Sequence, residues 1–213
     1  MARPSAGFRL ANVRSGVPVL VRAALIHALG LKPEPQHLKP CLGVRKGRCM
    51  SSFQVSVSKD YTVFCAGHFV TYDGDQCELL HGHNYRAAAR LTGTLNADQM
   101  VFDFVALKRM LRKVCDTLDH RMLLPRDNML LQIDTDETAL TVRYKQKCYV
   151  FPREDVVILP IPNTTAECLA QWVAEQLVSA IGPIRQQGLD LLEVEIEESF
   201  GQSAIYHRRI SAP

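Results

Sequence analysis

Residues 77–85 read Cys-Glu-Leu-Leu-His-Gly-His-Asn-Tyr, which sets a thiol, a carboxylate and two imidazoles within seven positions. If the segment is a strand, His81 and His83 project from one face, roughly 6.5–7 Å apart along the chain. Two imidazoles so placed can converge on one ion at about 2.0–2.1 Å per Zn–N bond, and a third ligand is then needed. His68, in Phe-Cys-Ala-Gly-His-Phe at residues 64–69, lies opposite them if the two segments form a hairpin. Three histidines with one open position describe a catalytic rather than a structural zinc site. The same His-x-His spacing also suits an exposed strand face that binds nothing, and spacing alone does not choose.

Other groups could move protons. Cys77 stands four residues before His81; a thiolate near a zinc cation has a lowered pKa and can act as base or nucleophile. A lone cysteine is more often a small buried apolar residue. Asp119 and His120 are adjacent, and a carboxylate that orients an imidazole suits a proton shuttle near neutral pH. An Asp-His pair at a helix end is also an ordinary macrodipole or capping arrangement. Glu198 lies in the acidic run Glu-Ile-Glu-Glu-Ser, a pattern usual for a solvated strand edge.

The elements that must hold these groups follow from periodicity. Alternation at Phe53, Val55 and Val57, continued through Tyr61, Val63 and Cys65, predicts a first strand. Tyr85, Ala87, Ala89 and Leu91 predict a second. Phe104, Leu107, Leu111, Val114 and Leu118 recur at three- and four-residue intervals and predict a helix capped by Asp103. Residues 126–155 read as short strands with polar turns, a hairpin excursion, and Val-Val-Ile-Leu-Pro-Ile-Pro as a buried strand ended by prolines. Leu169, Trp172, Val173, Leu177 and Ile181 predict a second helix, with Thr164 and Glu167 spaced as a capping box and Gly182-Pro183 as its stop. Two strands about a turn at Gly201 close the chain. Paired strands with helices between the pairs imply an α+β fold, an antiparallel sheet covered on one face.

The chain has 213 residues and a formal charge of +3. Residues 1–49 hold nine Lys/Arg and one acid, Glu34, so the remainder, residues 50–213, carries −5. That remainder gives no case for nucleic-acid binding. No run of 18 apolar residues is present, so no membrane-spanning helix is expected. Seven cysteines without a Cys-x-x-Cys pair argue against a disulfide framework and for a reducing compartment, the cytoplasm. The domain is placed at 50–213, after a basic extension. Three readings of residues 1–49 fit: an organelle transit peptide, a disordered extension, or an over-extended gene model that truly starts at Met50, the one favoured by the strand patterning that begins there.

Taken together the motifs resemble the 6-pyruvoyl-tetrahydropterin synthase and 6-carboxytetrahydropterin synthase family over about residues 53–209. They are F-x-A-x-H at Phe64–His68, C-x-x-x-H-G-H-N-Y at Cys77–Tyr85, Val-Phe-Asp-Phe-Val-Ala-Leu-Lys from Val101, Leu-Asp-His-Arg-Met-Leu from Leu118, Asn-Thr-Thr-Ala-Glu from Asn163, and Glu198 eight residues before Tyr206. The resemblance implies the tunnelling fold: a four-stranded antiparallel sheet with two helices on one face, joined edge to edge into a barrel. A homo-oligomer, trimer or hexamer, with pterin sites between subunits is expected. It further implies Zn2+ held by His68, His81 and His83, Cys77 as the base, and Asp119 with His120 as a proton relay. Glu198 would accept hydrogen bonds from the pterin ring, and Thr165 would line the same pocket.

Three residues between the cysteine and His-Gly-His resemble the 6-carboxytetrahydropterin synthases of queuosine and 7-deazapurine biosynthesis. That type converts 7,8-dihydroneopterin triphosphate to 6-carboxytetrahydropterin with release of acetaldehyde and triphosphate. Glu78 adds an alternative, because folate-pathway relatives carry a glutamate shortly before His-Gly-His and form 6-hydroxymethyldihydropterin. 6-Pyruvoyltetrahydropterin formation is a further sibling reaction. A zinc- and pterin-binding homologue without activity would not need Cys77, Asp119 and His120 together. Cys65 and Gly67 stand where serine or alanine is usual, and the 126–155 excursion is longer than in compact members.

Overall fold

The computed structural model describes residues 52–210, so the expectations for residues 1–49 lie outside the described residues. Strand β1 (Phe53–His68) pairs antiparallel with β4 (His81–Gly93), and a small hairpin of β2 (Thr71–Tyr72) and β3 (Gln76–Cys77) connects them. Helix α1 (Phe104–Leu118) follows, then β5 (Arg121–Pro125). The excursion forms an antiparallel sheet of β6 (Gln132–Thr135), β7 (Ala139–Tyr144) and β8 (Lys147–Pro152). Strand β9 (Val156–Leu159), helix α2 (Ala166–Arg185), β10 (Leu189–Ser199) and β11 (Gln202–Arg209) complete the order.

The fold is α+β, with a main sheet larger than the expected four strands. Its order is β11-β10-β4-β1-β5-β9; the first four are antiparallel neighbours, whereas β5 and β9 join parallel. The two added strands are five and four residues long; β5 pairs with β1 only near its end, at Ala66 and Gly67, and β9 pairs with β5. Strand β9 is an edge rather than a buried strand: Leu159 is buried, while Ile158 is exposed.

The core lies between the sheet and the two helices. It joins Phe64, Tyr85, Leu91 and Val194 to Leu107, Leu111, Leu169 and Leu177. Successive strand residues face opposite ways, and β5 uses both faces. Leu123 enters this core, while Met122 and Leu124 enter a second cluster with Phe69, Leu140, Val142 and Tyr144 under the excursion.

Three local expectations are corrected. Alternation in β1 does not run through: between Ser58↔Ala88 and Val63↔Arg86, residues 59–62 stand opposite Ala87 alone. Three extra residues reverse the phase, so Thr62, Phe64, Ala66 and His68 face inward instead of Val63 and Cys65. Phe104 is exposed, because it opens α1 beyond the reach of the core; Cys115 is buried on that face instead. The cap of α2 is Thr165, whose hydroxyl accepts from Cys168 N–H, whereas the Thr164 hydroxyl donates to the Phe69 carbonyl at 3.1 Å. Trp172 is partly buried beside the core. Asp103 caps α1 as expected, accepting from Val105 N–H at 2.8 Å. The second helix breaks where expected, at Gly182, whose φ of 70° leaves the helical region.

Candidate functional site

The β1–β4 register builds the histidine cluster. His68, last in β1, stands opposite His81, first in β4, and Ala66 stands opposite His83. Cross-strand partners share a face, so all three imidazoles point to one side of the sheet. Their ring centroids lie 4.6, 4.9 and 5.2 Å apart, and one ligand nitrogen from each falls within 4.8 Å of the others.

Backbone carbonyls set the tautomers. His68 Nδ1 lies 3.0 Å from the Thr164 carbonyl and His81 Nδ1 lies 2.8 Å from the Leu79 carbonyl. A carbonyl only accepts, so each Nδ1 carries the proton and each Nε2 keeps a free lone pair. Burial lowers the pKa of His68, opposed by the Thr164 bond and by Glu198, which keeps the ring in its neutral form. Tetrahedral zinc at about 2.0–2.1 Å per bond would place the nitrogens about 3.4 Å apart. The neutral His68 ring, the Nδ1–H tautomers of His68 and His81 and three ligand nitrogens within 4.8 Å of one another fit that metal.

Glu198 follows Val194 and Ile196 on the same face of β10, beside a register shift between Glu197 and Ser199. Its Oε1 lies 3.4 Å from His68 Nε2 and 3.8 Å from His83 Nε2, and it accepts from the Tyr85 hydroxyl at 3.3 Å. Tyr85 also stands 3.1 Å from His68 Nε2. Burial, then Glu198, pushes its phenol far above the ordinary value, so it stays protonated as a donor. A cavity of about 440 Å³ opens beside this cluster, lined by Glu78, His81, His83, Thr165 and Glu198 together with Gln202 and Ser203.

The remaining predicted residues are placed elsewhere. Cys77 does not line the cavity and packs against the second apolar cluster. Burial raises its pKa, with Lys147 opposing. Its neighbour Glu78 does face the cavity, with Oε2 3.9 Å from His81 Nε2 and 3.4 Å from Val70 N–H. Asp119 and His120 lie in the turn between α1 and β5. Asp119 Oδ1 accepts from Cys65 N–H at 2.8 Å and sits 3.1 Å from His120 Nδ1, and the His120 ring is 82% exposed. The pair is bonded to β1 at Cys65, through the Asp119 carboxylate and the His120 N–H, and lines none of the cavity.

Sequence reasoning missed Tyr85, Gln202 and Ser203. Tyr85 was detectable, since it lies two residues beyond His83 on the same strand face. Gln202 and Ser203 reach the cavity only because β11 folds back on β10.

The chain is thus an α+β protein with two helices on one sheet face and three convergent imidazoles at the end of a hairpin that could hold a metal ion. Comparison with known proteins makes the class specific. The family model "6-pyruvoyl tetrahydropterin synthase" matches residues 56–209. A Methanocaldococcus jannaschii protein provisionally named 6-carboxy-5,6,7,8-tetrahydropterin synthase is 34% identical over 146 residues, 68% of this chain and 89% of its own. A Haemophilus influenzae 6-carboxy-5,6,7,8-tetrahydropterin synthase is 26% identical, over 57% of this chain and 80% of its own. The solved 6-pyruvoyltetrahydropterin synthase of Plasmodium vivax superposes with a TM-score of 0.72 at 32% identity, covering 75% of this chain and 99% of that one. Structures of that protein with a catalytic glutamate replaced by alanine or cysteine superpose at 0.71. The chain therefore belongs to the 6-pyruvoyl tetrahydropterin synthase family, a family of lyases acting on pterins. No helix among the described residues is long and apolar enough to cross a membrane.

Proposed function

We propose that this protein is a zinc-dependent lyase that converts 7,8-dihydroneopterin triphosphate and water to 6-carboxytetrahydropterin, releasing acetaldehyde and triphosphate. The observation that carries the reading is the convergence of His68, His81 and His83 beside a cavity that the latter two line with Glu198 and Thr165. The names of the archaeal and Haemophilus relatives support the product. Zinc held by the three histidines would act as a Lewis acid toward the oxygens of the substrate side chain. Glu198 accepts hydrogen bonds from the pterin ring N–H and amino group, and Thr165 closes the same wall. Cys77 removes a side-chain proton, and Asp119 with His120 relays the second. For that, Cys77 must turn from its apolar neighbours toward the cavity, and the relay must come from an adjacent subunit. A homo-oligomer with sites between subunits and a cytoplasmic setting, consistent with five free thiols among the described residues, belong to the same proposal.

A second reading rests on Glu78. It already faces the cavity beside His81, and a glutamate is the catalytic residue altered in the Plasmodium vivax structures. With Glu78 as the base, the same substrate would give 6-hydroxymethyldihydropterin. Incubating zinc-loaded protein with 7,8-dihydroneopterin triphosphate and identifying products by mass decides between the two. Loss of 6-carboxytetrahydropterin in Cys77→Ala but not in Glu78→Gln supports the first reading. Loss of 6-hydroxymethyldihydropterin in Glu78→Gln alone supports the second, and unchanged substrate with the wild-type protein overturns both.

A further inference from the structure

Cys77 and Glu78 ride on a hairpin too small to hold its own shape. β2 and β3 have two residues each, paired at Thr71↔Cys77 and Tyr72↔Gln76, and an isolated hairpin of this size has no stability in water. Its turn runs through Asp73 and Gly74, both at positive φ. The base of the hairpin is tied down by asparagines: Asn163 bonds both backbone groups of Thr71 at 2.8 and 3.2 Å, and Asn128 Nδ2 donates to the Thr71 hydroxyl at 2.8 Å.

The far side of the hairpin is held by the excursion. At the β7–β8 turn, the buried Tyr144 directs its hydroxyl to the carbonyl oxygen of Asp75, just before β3. Lys145 Nζ lies 3.0 Å from Asp75 Oδ2. Tyr149 of β8 stacks on Phe69 at 5.5 Å, and Cys77 packs against the cluster that contains Phe69 and Tyr144. The ion pair is solvated and weak on its own. The Tyr144 ring is instead fixed by the apolar cluster, so its hydroxyl has little freedom to leave Asp75.

We propose that Tyr144 is a positioning residue: through Asp75 it fixes the β2–β3 hairpin, and with it the placement of Cys77 and Glu78 relative to the histidine cavity. The excursion is thus a buttress for the segment that carries both candidate bases. The link to catalysis rests on the roles proposed above for Cys77 and Glu78; the link to hairpin order does not.

Tyr144→Phe in the full chain tests this, since it keeps the ring and removes only the donor. Hydrogen exchange over residues 71–78 should quicken, and alkylation of Cys77 by iodoacetamide, followed by peptide mass, should rise about fivefold, the weight of one net hydrogen bond. Zinc content should be unchanged, and with pterin substrate kcat should fall or the product ratio change while KM moves little. Exchange and alkylation at wild-type values overturn the proposal, and a loosened hairpin with wild-type kcat and products overturns its catalytic part. If the wild-type protein turns over no pterin but Tyr144→Phe still loosens the hairpin, the buttress stands and the functional reading falls. Should Tyr144→Phe not fold, exchange over residues 71–78 in the wild-type protein must be slowed as in a held hairpin, and exchange there at unprotected rates overturns the buttress.

Discussion

Two imidazoles of the cluster are oriented by backbone carbonyls. His68 is neutral because it is buried, and its free nitrogen is chosen by the Thr164 carbonyl. His81 is half-exposed and depends on the Leu79 carbonyl for the same choice. Asp119 shows the opposite device, a carboxylate kept charged. The Cys65 N–H bond, then His120, lowers its pKa below 3.8 in the folded state, against the partial desolvation that raises it. A depressed folded value adds stability that is fully present above the unfolded pKa and is lost as pH falls through the folded one. Thermal melts should therefore show Asp119→Asn less stable than wild type at pH 6, with the gap closing as the pH falls through the lowered pKa of the folded state. A gap that stays constant with pH would mean that the charge of Asp119 contributes nothing to the fold.

Elements carry the second layer. The Asp103 cap satisfies an orphan amide at the start of α1, whose buried face supplies Leu107, Leu111 and Leu118. Asp103→Ala should cost about 1 kcal/mol in denaturant melts and leave zinc content unchanged, since the cap touches none of the site. Long periodic elements were legible from sequence: β4, both helices and the β10–β11 hairpin stand where alternation and the three-four repeat put them. The phase of β1 was not, because an odd number of extra residues at 59–62 reverses every later side chain without altering composition. Nor was β5, whose five residues gain their strand character from parallel partners distant in sequence; β9 was legible as a strand, though not as an edge. The histidine cluster was legible because all three ligands lie on one hairpin. The placement of Cys77 was not, since its direction is set by a cluster built from Phe69, Met122 and the excursion.

At the scale of the whole molecule, the chain holds the proposed proton relay apart from its own cavity. β5 runs along the β1 edge opposite β4, so Asp119 and His120 open outward, with the His120 ring largely exposed. A His-Asp pair outside the lining of the cavity does not face a substrate bound there. A second copy that brings its own Asp119 and His120 to the cavity resolves this, and it makes a specific prediction about mixed oligomers. Glu198→Ala leaves the relay intact and removes the pterin anchor; His120→Ala does the reverse. Each variant alone should be nearly inactive. Co-expressed and purified as mixed oligomers through two different tags, they should regain a substantial fraction of wild-type turnover, because some interfaces join an intact cavity to an intact relay. Sites confined within one chain would give no recovery at any mixing ratio. Recovery that disappears on dilution to monomers, followed by light scattering, would tie the activity to the interface rather than to residual function of either variant.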